Sequence, residues 1–277
     1  LRSILTLLGP FLSLLVVYVI FGLMNPYFFG SAVALGILTQ TVIVATAAIG
    51  MTLIIISGGI DLSVGSIIAL TCVVAAYLAS QHLSPIAVFL ATIAFGALCG
   101  ACNGSFTVGL KLLPFIVTLG TMQIFRGSAK VVTNGTPINL PSDLTLWKQW
   151  MGGSGLPLGV WMMFALVLVF TLLLRYTRFG RHIYAVGSNE QTAILCGLPV
   201  ARIKILVYTI SGALAGLAAL MNMAKTSQGD PTTAMGLELD IIAAVVIGGA
   251  SLSGGEGSVL GASVSYTHLR AHETEAD

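Results

Sequence analysis

Charged residues are nearly absent from the first part of the chain, and this feature most constrains what it can fold into. Between Arg2 and Asp61 there is no Asp, Glu, Lys or Arg, and none follows Asp61 until Lys111. Only 8% of all residues are charged, against about 25% in soluble domains. The apolar residues form blocks long enough to cross a bilayer, about 20 residues each. The sequence therefore predicts an all-α polytopic membrane protein.

Apolar blocks separated by polar or Gly-rich breaks predict about eight transmembrane helices. They cover residues 4–24, 32–56, 64–80, 86–109, 112–131, 158–174, 203–223 and 239–252. The basic loop 175–204 favours a cytoplasmic N-terminus, since that orientation places this loop in the cytoplasm. The net charge of +2, without a basic patch interleaved with aromatics, argues against a nucleic-acid partner.

Asp61 lies in the break "GGIDLSVGS", and two interpretations of it are open. In one, the carboxylate lines a pathway and binds a cation, a proton or a sugar hydroxyl, as ionisable residues at membrane depth often do. In the other, Asp61 caps a helix that begins at Leu62 and accepts N–H bonds from its first turn. The cap is favoured, because a buried carboxylate is costly and no cation is near in sequence. The residues that form the break and cap are Gly58, Gly59, Asp61, Ser63 and Gly65.

A second Gly-rich break resembles the first in the order of its residues. Both "SGGIDLSVGSIIAL" and "IGGASLSGGEGSVLGA" place Gly-Gly after an apolar run and Gly-Ser before the next. This echo indicates an internal repeat, as in many transporters, unless Gly and Ser are merely frequent here. The second break contains Gly248, Gly249, Gly254 and Gly255. Its "LSGGE" looks like an ATPase signature, but the chain has no phosphate-binding loop G-x-x-x-x-G-K-[ST] and is not predicted to bind ATP.

The basic loop 175–204 has the chemistry of a short helix held between two spans. Ser188 or Asn189 can cap it, and Gln191, three residues after Ser188, would complete a capping box. Gly197 followed by Pro199 predicts where the helix ends.

Polar residues inside the spans are the candidates for a solute pathway, and the best of them are Gln40, Asn103 and Asn222. Interhelical hydrogen bonding is the alternative role for such residues. Cys99 and Cys102 lie in the small-residue run "FGALCGACNGS", which predicts close helix packing rather than redox or metal chemistry. The spans show no catalytic constellation and no metal site is predicted.

These motifs together resemble the permeases of ribose/xylose/galactose-type bacterial ABC sugar importers, within the branched-chain amino acid/ribose permease superfamily. The resemblance runs through "GGIDLSVGSIIAL", "LPFIVTLGTMQIFRG" and "ELDIIAAVVIGGASLSGGEGSVLGA". It implies a permease domain over residues 1–262, with eight to ten helices in the family, in the bacterial inner membrane. It also implies a homodimer embedded in membrane lipid, ABC ATPase subunits that use ATP-Mg, and a periplasmic sugar-binding protein. The chain itself is expected to bind no cofactor.

The resemblance also assigns coupling to the ATPase to the basic loop. The residues concerned are Arg178, Gly180, Arg181, Gly187, Asn189, Glu190, Ala193 and Gly197. The implied function is transport of a monosaccharide, a ribose-like pentose or a hexose, with a nucleoside or an autoinducer furanose left open. The alternative from another class is an ion-coupled secondary transporter of a small polar solute, which would need Asp61 to titrate or to bind sodium.

The last residues, 263–277, depart abruptly from the membrane pattern. They read "SVSYTHLRAHETEAD", and we expect this tail to be non-native. His268 and His272 are therefore not predicted to form a zinc site, although their i, i+4 spacing would allow one. Both ends of the permease domain are expected to be truncated.

Overall fold

The computed structural model describes residues 30–140 and 157–263, together with positions 19, 23 and 265. The helices in these residues are α1 Ser31–Ile56, α2 Val64–Ser80, α3 Pro85–Gly109, α4 Pro114–Thr133, α5 Leu158–Tyr176, α6 Arg178–Ser188, α7 Glu190–Leu195, α8 Val200–Thr226 and α9 Leu237–Ile247. The strands are β1 Ile138–Asn139 and β2 Gln228–Gly229. The predicted first span, 4–24, and nearly all of the tail 263–277 lie outside the described residues, apart from single positions.

Four of the described helices are long and apolar enough to cross a membrane. These segments are Leu35–Ile56, Pro85–Gly109, Leu158–Tyr176 and Val200–Thr226. The helix α2 is apolar but has 17 residues, and α9 has 11, fewer than the roughly 20 that a straight crossing needs. The architecture is that of a multi-pass membrane protein.

Proline and residues with positive φ set several helix boundaries. Pro85 and Pro114 stand at the first helical positions of α3 and α4, where the missing N–H costs nothing. Asn134 ends α4 in a left-handed conformation with φ 50°. The predicted helix over 239–252 is wrong at its end, because α9 stops at Ile247 and Gly249 turns the chain with φ 93°.

The helix α8 lies at the centre of the bundle and meets α3 along a seam of glycines. A Cβ on Gly100 of α3 would collide with the backbone carbonyl of Tyr208, and one on Gly212 of α8 would collide with that of Gly96. The two backbones therefore touch over two turns, as in other membrane helix pairs with small residues at the interface. The packing predicted for "FGALCGACNGS" is confirmed, and Cys99 is buried beside this seam.

A two-residue ribbon joins the polar loops after α4 and α8. β1 pairs antiparallel with β2, with Ile138 opposite Gly229 and Asn139 opposite Gln228. A Cβ on Gly229 would lie 2.8 Å from the carbonyl oxygen of Cys72 in α2. The ribbon thus holds both loops against the side of α2 at the end of the molecule opposite α7.

Candidate functional site

Asp61 is buried in the turn between α1 and α2, with 1% of its surface exposed. Its Oδ1 accepts hydrogen bonds from the backbone N–H of Ser63 at 2.7 Å and from the Ser63 hydroxyl at 2.6 Å. The carboxylate thus closes a turn with a backbone donor ahead of α2, but it is not the predicted helix cap, because the N-cap of α2 is Ser63 and the first turn of α2 receives no side-chain bond. A capped helix that starts at Leu62 is therefore wrong, whereas the apolar span predicted over 64–80 agrees with the start of α2 at Val64. The Leu62 N–H donates instead to Thr118 Oγ1 at 3.1 Å.

A buried hydrogen-bond network ties this break to α3, and a close packing contact ties it to α8. The Asn103 amide of α3 donates to Ser63 Oγ at 2.7 Å, so Ser63 links Asn103 to Asp61. The Tyr208 hydroxyl of α8 lies against Gly59, where an added Cβ would come within 2.8 Å of it. Asn103 therefore bonds α3 to the break at Ser63, the residue just before α2.

These contacts predict different outcomes for two substitutions at Asp61. Asp61→Asn keeps an Oδ1 acceptor for both Ser63 donors, so folding and transport are expected to be close to wild type. Asp61→Ala leaves both buried donors without a partner and is expected to lower the free energy of unfolding by about 1–3 kcal/mol for each. Thermal melting of both purified variants checks this. A full loss of transport in well-folded Asp61→Asn would instead support a pathway role.

The two Gly-rich breaks change the direction of the chain in the same way. Each has, at the second position after the helix, a glycine with positive φ: Gly58 at 82° and Gly249 at 93°. In each, the three N–H groups after the helix bond back to carbonyls four, three and five residues earlier. This is a Schellman-type ending, for which glycine is the favoured residue.

A side-chain turn follows in both breaks. Ser251 Oγ accepts from the Ser253 N–H at 3.3 Å, two residues on, as Asp61 does from Ser63. The echo seen in the sequence is therefore present in the local geometry of the two breaks.

The two breaks meet at one point, which we call the glycine junction: Ile56, Gly58, Gly187, Gly254 and Gly255. The Gly255 N–H donates to the Ile56 carbonyl at 2.8 Å. A Cβ on Gly187, near the end of α6, would collide with that same carbonyl. A Cβ on Gly254 would lie 2.7 Å from the Gly187 carbonyl oxygen. Because any side chain would collide there, only glycine at Gly187 and Gly254 allows the three backbone segments to approach so closely.

A tyrosine on α6 braces the junction. The Tyr184 hydroxyl donates to the Gly257 carbonyl at 2.8 Å. Burial raises the pKa of the Tyr184 phenol, so it stays protonated and keeps its donor. The helix α6 is thereby fixed to the second break as well as to the first.

The short helix α7 forms as the loop sequence predicts, with one correction. Asn189 is its N-cap, and Asn189 Oδ1 accepts from the Thr192 N–H at 2.9 Å. The capping box through Ser188 and Gln191 is wrong, because Ser188 is the last residue of α6. The helix stops at Leu195, and Gly197 follows with φ 77°.

One face of α7 is buried and the other is open. Ala193 packs inward with 4% exposure, whereas Ile194 is 56% and Leu195 87% exposed. The Glu190 carboxylate of α7 pairs with the Lys204 ammonium of α8 at 2.7 Å. The helix is thus anchored on one side and presents two apolar side chains on the other.

The remaining residues of the predicted coupling loop lie on α6. Arg178 and Arg181 are exposed. Gly180 is buried where a Cβ would collide with the backbone carbonyl of Leu174. The structure therefore joins the loop residues into one body, α6 with α7, that contacts both breaks.

The other two pathway candidates lie apart from this site. Asn222 donates to Thr233 Oγ1 at 2.8 Å and stands 14 residues beyond Tyr208 on α8, about 21 Å away. Gln40 is half-buried on α1. The structure does not gather Asn103 and Asn222 into one site.

Arg126 has a role that the sequence analysis missed. Its guanidinium donates to three backbone carbonyls of the loop before α9, those of Pro231 at 3.2 Å, Thr233 at 2.5 Å and Ala234 at 3.4 Å. A cation within an apolar block was the available signal, because such a residue needs partners at membrane depth.

No metal centre is formed by the described part of the chain, where no three His, Cys, Asp or Glu side chains come together. What the site can do is mechanical: an exposed helix is connected through backbone contacts to two breaks in the bundle.

Comparison with known proteins places this sequence among permeases. The family model described as "Branched-chain amino acid transport system / permease component" matches residues 33–267. Ribose import permease protein RbsC of Escherichia coli K12 is 42% identical over 254 residues, 90% of this chain and 79% of that protein. The RbsC protein of Bacillus subtilis 168 is 38% identical over 259 residues, 92% of this chain and 80% of its own length.

A permease for a second pentose is also similar. L-arabinose ABC transporter permease protein AraH of Azospirillum brasilense is 34% identical over 255 residues, 91% of this chain and 75% of that protein. No solved structure matches the chain.

Proposed function

The chain belongs to the branched-chain amino acid transport system / permease component family, and we propose that it is the membrane subunit of an ATP-driven monosaccharide importer. Relatives at 38–42% identity are named for ribose import, and one at 34% is named for L-arabinose. These names support a ribose-like pentose as the solute, with a hexose as the next choice. The chain is a transport component that binds no ATP, and ATP-Mg is used by its partner.

The observation that carries the proposal is the position of α7. It exposes Ile194 and Leu195 and is joined through α6 to the glycine junction, where the two helix breaks meet. A helix that exposes apolar side chains on one face and is connected to both breaks through the other fits a surface on which an ATPase subunit docks. A transporter driven by an ion gradient would not need an exposed helix such as α7, because it has no ATPase subunit to bind.

The mechanism follows from this connection. With the N-terminus cytoplasmic, α6 and α7 face the cytoplasm, and two ATPase subunits dock on the α7 helices of a permease homodimer. Nucleotide-driven closure of the ATPases moves α7 and α6, and Gly187 transmits the movement to Ile56 and Gly255. The breaks then reorient α2 and α9, so that access alternates between the two sides of the membrane.

The sugar reaches the permease from a periplasmic binding protein, which selects it. The pathway then needs only weakly polar groups, for which Gln40, Asn103 and Asn222 are the candidates. No residue of this chain makes or breaks a bond in the sugar.

Substitution of Leu195 tests the docking surface. Because truncation of a hot-spot residue at the centre of an interface costs about 2 kcal/mol or more, Leu195→Ser is expected to reduce ATP-dependent ribose uptake and ATPase retention at least about tenfold if Leu195 is such a residue. Leu83→Ser is the matched control, because Leu83 is exposed at the opposite end of the molecule, and it should leave both unchanged. The measurement is uptake by proteoliposomes that contain the permease, its ATPase and its binding protein.

Two outcomes would contradict the proposal. Unaltered uptake in Leu195→Ser would show that α7 is not the docking surface. Uptake that continues without ATP but collapses with the ion gradient would establish the secondary transporter instead.

A further inference from the structure

A cavity of about 680 Å³ opens beside α7 and reaches Gly58 at the edge of the glycine junction, but it does not involve the glycine seam. It lies between the turn that joins α3 to α4, one side of α7, and the first turns of α8. Thr107, Lys111, Glu190, Ile194, Val200 and Lys204 are among its lining residues. Coupling through α7 does not by itself require such a space.

Two cations and one anion line the cavity. Lys204 is engaged by Glu190 at 2.7 Å. Lys111 is exposed in the turn after α3, with a left-handed φ of 53°, and it has no ion-pair partner among the described residues. Thr107 also contributes a buried hydroxyl that lacks a hydrogen-bond partner in the described part of the chain. The cavity therefore has a surplus positive charge and an unused polar group.

The rest of the wall is apolar and continues onto the outside of the bundle. Leu112 and Leu113 line the cavity and are 45% and 69% exposed. Ile116, one turn into α4, is 52% exposed. An exposed apolar surface on a membrane helix is solvated by acyl chains. Cations in a cavity that leads onto such a surface match a ligand with an anionic head and a hydrocarbon tail.

We propose that this cavity binds the anionic headgroup of a phospholipid, and that the phosphate competes with Glu190 for Lys204. Basic pockets between helices on the cytoplasmic side commonly hold anionic lipid heads. The location in the cytoplasmic leaflet rests on the orientation given under the proposed function. Competition for Lys204 would release Glu190, and with it one anchor of α7, so membrane composition would set how firmly the coupling helix is held.

Lipid binding to the assembled importer tests the proposal. The purified complex is titrated with phosphatidylglycerol or phosphatidylcholine, and bound lipid is counted by native mass spectrometry. Because one basic residue near an anionic surface contributes about fivefold, Lys111→Gln should weaken phosphatidylglycerol binding roughly fivefold, and Lys111→Gln with Lys204→Gln about thirtyfold. Glu190→Gln should strengthen it, because the competing carboxylate is gone. Phosphatidylcholine binding should stay unchanged throughout.

Lys130→Gln is the matched control, because Lys130 is an exposed lysine at the other end of α4. Lys111→Gln alone leaves the Glu190–Lys204 pair intact, so its effect cannot come from a disturbed α7. Equal losses in Lys130→Gln and Lys111→Gln would overturn the proposal, as would weaker binding in Glu190→Gln. Complete displacement by inorganic phosphate would show a free-phosphate site and also overturn it.

The lipid measurement needs no ATP and no transport. If Leu195→Ser keeps full uptake while the lysine variants lose phosphatidylglycerol, the proposed docking surface fails and the lipid site stands. If Leu195→Ser behaves as expected while lipid binding is insensitive to Lys111, the lipid site fails alone.

Discussion

Gly187→Ala is expected to reduce ATP-driven uptake to background. The added methyl would occupy the position of the Ile56 carbonyl and come within 2.6 Å of the Gly255 backbone nitrogen. Both neighbours are backbone atoms, so no side-chain rotation can make room, and α6 must move away from the breaks. The hydrogen bond from Gly255 to Ile56 is then lost or lengthened, and movement of α7 no longer reaches the bundle. Uptake by proteoliposomes, normalised to inserted protein, is the measurement.

Gly127→Ala is the control for this prediction. Gly127 lies in α4 with no atom within 4 Å of an added Cβ, so alanine there should leave uptake unchanged and stabilise the helix by up to about 1 kcal/mol. The junction is not the coupling route if Gly187→Ala inserts normally and transports like Gly127→Ala.

Gly100→Ala is expected to destabilise the bundle itself. Its methyl would collide with the Tyr208 carbonyl and lie 3.1 Å from the Gly212 Cα, so α3 and α8 must separate along the seam. Overpacking of this kind typically costs about 1–3 kcal/mol, occasionally more. Separation also disturbs the break at Asp61, because Asn103 on α3 hydrogen-bonds to Ser63 and Tyr208 on α8 packs against Gly59. The expected result is a lower melting temperature and less folded protein after detergent extraction.

The same helix supplies the comparison for Gly100. Gly109, at the end of α3, has open space where a Cβ would be, so Gly109→Ala should melt like the wild type. Equal melting temperatures for the two variants would mean that the seam relaxes at little cost.

Helices could be predicted from this sequence because the signals are local. The run from Val64 to Ser80 is bounded by the break at Asp61 and by the polar residues from Gln81, and the helix has those bounds. Pro85 and Pro114 fix helix starts by their own geometry. Asn189 and Gly197 delimit α7 for the same kind of reason, since a cap and a left-handed glycine act within one turn.

The contacts between these helices could not be predicted from the sequence. Nothing within a few residues of Gly187 indicates that it meets Ile56, because the contact joins segments more than 130 positions apart. The end of α9 at Ile247 was misread because apolar and small residues continue to Leu252, and composition alone does not reveal a left-handed glycine. The charge of Arg126 within an apolar block indicates that it needs partners. The sequence does not reveal them, because its three acceptors are backbone carbonyls, which every residue has.

The glycine seam also decides which parts of the bundle can serve as moving parts. Helices whose backbones touch have no compressible side-chain layer between them, so α3 and α8 can slide or hinge only by giving up many contacts at once. These two helices form one rigid unit. In the proposed transport cycle, movement then falls to the segments beside the two breaks, where Gly58 and Gly249 with positive φ let the chain turn against this rigid pair.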